Sequence, residues 1–211
     1  MTLRLTIIFI LLTKILVGQD TLYDNKICLK IAPLSLLDIY GGMSTRIGIE
    51  YKLKKNYALY NEIGTYIPNA NGYSNNKGIL TKCEFKYYIN KKHFSSGGYF
   101  SAELFYKYQS FSTWDSITIK PTYAKDFTVY KSVACLTVKF GRMQVFKCGI
   151  LLDYFFGIGI RYKNATSTLN SNENSNIQSG GDYSLNILAE KSGQYILPNF
   201  DAGIKIGYRF K

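Results

Sequence analysis

Period-two alternation is the feature that most constrains this chain: eight stretches set one apolar row against one polar row, the pattern of strands with two unlike faces. In Thr45–Leu53, Ile47, Ile49, Tyr51 and Leu53 share a face, and Arg46, Gly48, Glu50 and Lys52 share the other. Lys82–Ile89 sets Cys83, Phe85, Tyr87 and Ile89 against Lys82, Glu84, Lys86 and Tyr88. Phe100–Tyr108 sets Phe100, Ala102, Leu104, Tyr106 and Tyr108 against Ser101, Glu103, Phe105 and Lys107. The last stretch sets Ala202, Ile204, Ile206, Tyr208 and Phe210 against Asp201, Gly203, Lys205, Gly207 and Arg209. Lys26–Leu34, Tyr57–Ile67, Ser132–Gly141 and Ile150–Tyr162 alternate less cleanly, and Tyr57–Ile67 leaves open which face is apolar. No stretch holds a 3.6-residue period, so little helix is expected.

The connections carry the next constraint. The odd ones, Asp38–Ser44, Pro68–Gly78, Ser112–Lys131 and Asn164–Asn199, are mostly long. The even ones, Lys54–Asn56, Asn90–Gly98 and Arg142–Gln144, are mostly short. Antiparallel neighbours put odd and even connections on opposite rims, and short turns on one rim with long loops on the other characterise outer-membrane barrels. The expected fold is all-β, an eight-stranded antiparallel up-and-down transmembrane β-barrel, with both termini on the short-turn rim. The Asn/Ser-rich run Asn170–Gly181 reads as a solvated loop.

Residues 1–18 read as a signal peptide, with Arg4 ahead of the apolar run Leu5–Leu12 and cleavage after Gly18. Residues 19–25 are then an N-terminal lead and 26–211 the barrel. The apolar run is too short to span a bilayer as a helix. The expected location is the outer membrane of a Gram-negative bacterium.

The formal charge is +12, or 12 − 2 = +10 once Arg4 and Lys14 leave with the signal. A basic exported protein points to anionic outer-membrane lipids, lipopolysaccharide included, and not to nucleic acid; solvated loop lysines account for the same balance. Cys28, Cys83, Cys135 and Cys148 match no metal or redox spacing and read as small hydrophobes, although two disulfides are arithmetically open. One histidine, His93, excludes a His-rich metal site. No catalytic residue, metal site or cofactor is expected, and the chain is not read as an enzyme. Glu50, Glu84 and Glu103 alternate with Lys and Arg on polar faces, and in a narrow lumen they are expected to form ion pairs.

The terminal row Ile204, Ile206, Tyr208 and Phe210 resembles the C-terminal assembly signal of bacterial outer-membrane proteins, with Lys211 following the closing aromatic. The chain from residue 26 is similar in size to small barrels of the OmpA and OmpX kind. Lys30-Ile-Ala-Pro-Leu-Ser-Leu-Leu and Asn199-Phe-Asp-Ala-Gly-Ile-Lys-Ile-Gly-Tyr resemble outer-membrane barrel proteins of Bacteroidetes that have no assigned activity. The resemblance implies contact with the barrel-assembly machinery through the last strand and a structural or surface-interaction role through the outward loops. Two other readings use the same alternation. An outer-membrane lipid-modifying enzyme of the lipid A deacylase kind would use His93-Phe94-Ser95, which here reads as turn sequence. A soluble periplasmic carrier of lipocalin type would point its apolar row inward.

Overall fold

A computed structural model describes residues 27–37, 43–54, 56–69, 74–89, 97–146, 148–178 and 192–210. The signal and lead segments (1–25), His93-Phe94-Ser95 and Leu185–Ala189 lie outside the described residues. The strands are β1 (Ile27–Ile31), β2 (Ser44–Lys54), β3 (Tyr57–Tyr66), β4 (Ser74–Tyr88), β5 (Gly97–Ile117), β6 (Tyr123–Val145), β7 (Ile150–Ser167), β8 (Ile177–Gln178) and β9 (Gly193–Arg209). Consecutive long strands pair antiparallel, and β9 pairs with both β7 and β1, closing an eight-stranded ring. Two-residue β8 stands outside the ring, on the far end of β5. Among the described residues the helical content is one five-residue helix, α1 (Ser171–Ser175), and a 3-10 turn at Pro33–Leu37.

The ring closes with a fixed stagger. From Gly48 the register runs through Glu62, Lys82, Phe105, Cys135 and Arg161 to Leu197. In the other direction Gly48 faces Lys30, which faces Gly207. The offset is 207 − 197 = 10 residues, a shear that tilts the strands about 40° and leaves an interior just wide enough for side chains.

The apolar rows face outward. Ile47, Ile49, Phe85, Leu104, Leu136, Val138, Phe156, Ile158 and Ile204 are all exposed on the outer wall, interrupted by Asn61 and Arg142. On β7 the outward row Ile150–Tyr162 covers twelve residues of rise, about 30 Å along the barrel axis. Tyrosines mark both borders: Tyr51, Tyr57, Tyr87 and Tyr208 near the turn-bearing rim, Tyr106, Tyr108, Tyr130 and Tyr162 near the other. The stretch Tyr57–Ile67, ambiguous in sequence, forms β3 as far as Tyr66 and turns Tyr60, Glu62 and Tyr66 inward and Tyr57 and Ile63 outward. The inward floor at the turn-bearing rim is apolar, built from Cys28, Ala58, Tyr88, Tyr99, Met143 and Leu151.

The longest expected connections are partly strand. Ser112–Lys131 is not a loop: β5 runs to Ile117 and β6 starts at Tyr123. The chain between β7 and β9 likewise shrinks from Asn164–Asn199 to 168–192. The reason is a reversal of facing. Beyond the tyrosines the outward positions become Ser110, Ser112, Ser116, Asp126, Thr128, Asn164 and Thr166, with the exposed Trp114 as a large apolar exception among them. The inward ones become Phe111, Ile117, Phe127 and Val129, which pack with Leu169 into a second core. Polar residues on the outside hid the strand from a search for an apolar row. Pro33 explains the other shift, ending β1 at Ile31 by starting the 3-10 turn.

Candidate functional site

Because side chains alternate, each strand delivers every second residue to the lumen, and these carry most of the buried charge. Near the floor Lys30 lies 2.6 Å from Glu50 and 2.7 Å from Asp153. Lys86 lies 2.8 Å from Asp153 and 3.1 Å from Glu50. Higher up, Lys139 sits 2.6 Å from both Glu103 and Asp201, with Lys82 at 3.4 and 3.6 Å from the same pair. Lys205 lies 3.2 Å from Glu84, which reaches Lys86 of the lower knot at 3.9 Å, and 4.0 Å from Glu62.

Tyrosine hydroxyls complete the carboxylates' coordination. Tyr88 donates to Glu50 at 2.6 Å, Tyr99 to Asp153 at 2.7 Å and Tyr60 to Glu62 at 2.6 Å, while Ser101 donates to Glu84 at 2.6 Å. Two glycines make room for the rings. A Cβ at Gly48 would run into the Tyr60 ring, and one at Gly141 into the Tyr99 ring. The same rings receive the ammonium groups on their faces: Lys205 lies 3.9 Å from the centre of Tyr60 and Lys86 4.1 Å from that of Tyr99.

Charge along the lumen is unevenly spread. Between the floor and Asp201, the inward carboxylates are Glu50, Glu62, Glu84, Glu103, Asp153 and Asp201. The inward cations there are Lys30, Arg46, Lys82, Lys86, Lys139 and Lys205, six against six, and Lys52 and Arg209 add two more at the level of the floor itself. Above them β5, β6 and β7 turn Lys107, Lys131, Arg161 and Lys163 inward, with no carboxylate at a described inward position before Asp115. Lys107 and Lys163 flank Val133 in one register row. Aromatic faces line them: Phe111 by Lys131 at 5.2 Å and Tyr195 by Lys163 at 5.1 Å.

The head beyond the second tyrosine border is held by Glu173. Asn170 caps α1, its side chain accepting from the Glu173 backbone N–H while Glu173 accepts from the Asn170 backbone N–H. The Glu173 carboxylate also accepts from Lys125 at 2.6 Å and Tyr123 at 2.9 Å, tying α1 to the start of β6. The Lys125 ammonium first, then the Asn170 N–H and the Tyr123 hydroxyl, hold its carboxyl below the usual glutamate range. A depressed carboxylate contributes stability above its unfolded pKa, about 4.3, and loses it as pH falls through the folded value. Amide exchange at Thr118 and Asn176 is therefore expected to speed up as pH falls below about 4, after correction for intrinsic exchange. Glu173→Gln should show faster exchange at neutral pH with no further change on acidification; an unaltered pH response in that variant would remove Glu173 from the role.

The three carboxylates singled out from sequence are thus paired: Glu50 with Lys30 and Lys86, Glu84 with Lys205, Glu103 with Lys139. Glu62 and its donor Tyr60 were missed, although parity counted back from Gly64 would have placed both inward. Carboxylates so enclosed hold the shape of the lumen. Glu62 keeps one oxygen, Oε1, buried without a hydrogen-bond partner among the described residues. Among those residues no group of three His, Cys, Asp or Glu side chains is arranged to hold a metal ion. None of the described cysteines is joined in a disulfide; Cys28 and Cys135 are buried, Cys83 and Cys148 exposed. Comparison with family models, curated proteins and solved structures returns no match.

Proposed function

We propose that the chain is an outer-membrane β-barrel that acts structurally or as a surface-interaction protein through its outward connections. The reversal of facing between wall and head carries this reading. Over about 30 Å the ring is apolar outside and charged inside; beyond it the same strands β5 and β6 are mostly polar outside, Trp114 excepted, and mostly apolar inside, Asp115 excepted. A strand that switches its apolar face partway along is crossing from an apolar surrounding into water. The height of the apolar wall matches a bilayer's hydrocarbon core, and tyrosines at both borders suit its interfaces. A charged, filled lumen gives no room for the apolar cargo of a lipocalin-like carrier. The outward row Ile204, Ile206 and Tyr208, with Phe210 edge-on to Tyr208 at 5.3 Å, supports the C-terminal strand as the element offered to the assembly machinery.

The short-turn rim would then lie in the periplasm and the head outside. An epitope inserted within Asn170–Ser175 is expected to be stained on intact cells, and one at Asn56 only after the outer membrane is opened. Staining at both positions, or at Asn56 alone, would refute this orientation.

A further inference from the structure

The outer wall is not evenly apolar, and its polar groups gather on one side. Between the two tyrosine borders, the described outward positions of β1, β5, β6, β7 and β9 are apolar or aromatic. Arg142 of β6 sits at the turn-side border, where its long side chain reaches headgroup level. The exceptions within the band all lie on β2, β3 and β4: Thr45, Asn61, Thr65, Thr81 and Cys83, each exposed. Thr65 is satisfied, its hydroxyl donating to the Gly78 carbonyl at 3.2 Å. The side chains of Asn61, Thr45 and Thr81 make no hydrogen bond among the described residues.

Asn61 is the most demanding of these. It lies four residues above Tyr57 on β3, a climb of about 10 Å once the strand tilt is allowed for. Its side chain is far too short to return to that border, as a lysine or arginine would. A carboxamide offers two N–H donors and a carbonyl acceptor, and leaving them unmet in hydrocarbon is costly. The tilt also decides what stands above and below it. With strands leaning about 40°, the position straight above an outward residue is two residues up and one strand over. From Asn61 that position is Thr81, the register partner of Ile63, and from Thr81 it is Tyr108, the partner of Ile79. Directly below Asn61 is Tyr51, the partner of Leu59. One vertical line thus reads Tyr51, Asn61, Thr81, Tyr108, with an aromatic ring at each border and two unmet polar groups between.

We propose that this line is the contact between two copies of the chain, side by side in the membrane about a two-fold axis along the membrane normal. The proposal rests on the outer-membrane reading and goes further in naming a partner and its surface. Both copies are inserted the same way up, so a residue on the line meets its own copy at the same height. The contact must therefore be self-complementary, and a carboxamide is. Each Asn61 donates an N–H to the other's carbonyl, and each Thr81 hydroxyl can donate or accept. No residue on the line is charged, so like meets like without repulsion. Lipid headgroups stay at the border and cannot supply these bonds. Lipid tails are as apolar as the rest of the wall, so association gathers where polar groups need partners. Beside Asn61 on β4 stands Cys83, short enough to let the two walls approach.

The test uses the full-length protein, processed by its own host and folded into phosphatidylcholine vesicles. Copies with Cys83→Ala are labelled at the exposed Cys148, and energy transfer is followed as lipid dilutes the protein. Transfer above that of randomly placed barrels is expected. Asn61→Leu should weaken association at least about tenfold, and Asn61→Gln should keep most of it. The urea midpoint of Asn61→Leu at high lipid dilution should not fall, which separates a lost contact from a lost fold. In a Cys83→Ala, Cys148→Ser background, oxidation should join Thr81→Cys copies into dimers and leave Ile158→Cys copies, on the opposite side of the ring, as monomers. Random transfer in the parent protein, undiminished association of Asn61→Leu, or equal cross-linking at the two positions would each overturn the contact. So would a Thr81→Cys cross-link to a different protein in host membranes, which would give the surface to another partner. Failure of the chain to float with the vesicles would instead reject the outer-membrane reading, and both readouts are taken only on floated protein.

Discussion

Asp153→Asn is expected to lower unfolding stability by about 3–5 kcal/mol, the largest effect of any single isosteric change in this chain. Asp153 accepts from Lys30, Lys86 and Tyr99, and all four side chains are buried. The amide keeps the size and can still accept from Tyr99, but it leaves two ammonium groups sharing Glu50. Adding Lys30→Met should restore most of the loss, because the Lys86–Glu50 pair at 3.1 Å then stands balanced. Urea midpoints of the wild type, both single variants and the double variant in lipid vesicles give the comparison. A single variant as stable as wild type would mean the lumen does not depend on its ion pairs. A double variant no better than Asp153→Asn would mean that the amide substitution acts by some route other than unpaired charge.

The second large effect lies on the opposite side of the wall. Ile204 faces outward near mid-height of the apolar band, and Ile204→Arg should cost about 2–4 kcal/mol when the barrel folds into a bilayer. The same substitution at Ser116, on the outward face of the head, should fall within about 0.5 kcal/mol of wild type. The contrast matters more than either value, since both residues sit on strands of the same ring. Equal penalties at the two positions would contradict a change of surroundings between them, and a neutral Ile204→Arg would show that the outer wall does not meet lipid.

Much of the wall was legible because strand parity is a local property. Thr45–Leu53, Lys82–Ile89 and Phe100–Tyr108 each announced both rows, and the structure places those rows as the alternation required. The pairings inside were not legible, because closure stagger decides which inward side chains share a level. Lys30 and Asp153 are 123 residues apart and meet only when the ring closes with a ten-residue offset. The head was missed for a different reason. Ser110, Ser112, Thr128 and Asp126 look like loop residues, and their inward neighbours Phe111, Val129 and Phe127 become informative only if the apolar face is allowed to change sides. The shortness of the β1–β9 pairing could not be read either, since it depends on where β1 stops, and Pro33 was counted within a strand ending at Leu34.

The short seam also sets an order of events. β5 and β6 run together from Gly97 to Ile117 across a turn of a few residues, a pairing that can zip as soon as both are available. β1 meets β9 only over Cys28–Ile31, and its partners come from the last residues of the chain. Nothing local can stand in for that junction, so the ring must wait with two loose edges until its C-terminus arrives. Loop-closure entropy is greatest there and the reward in backbone bonds smallest. The junction should therefore form last on assembly and part first under strain, making the β1–β9 line the latch of the cylinder rather than one rung among eight.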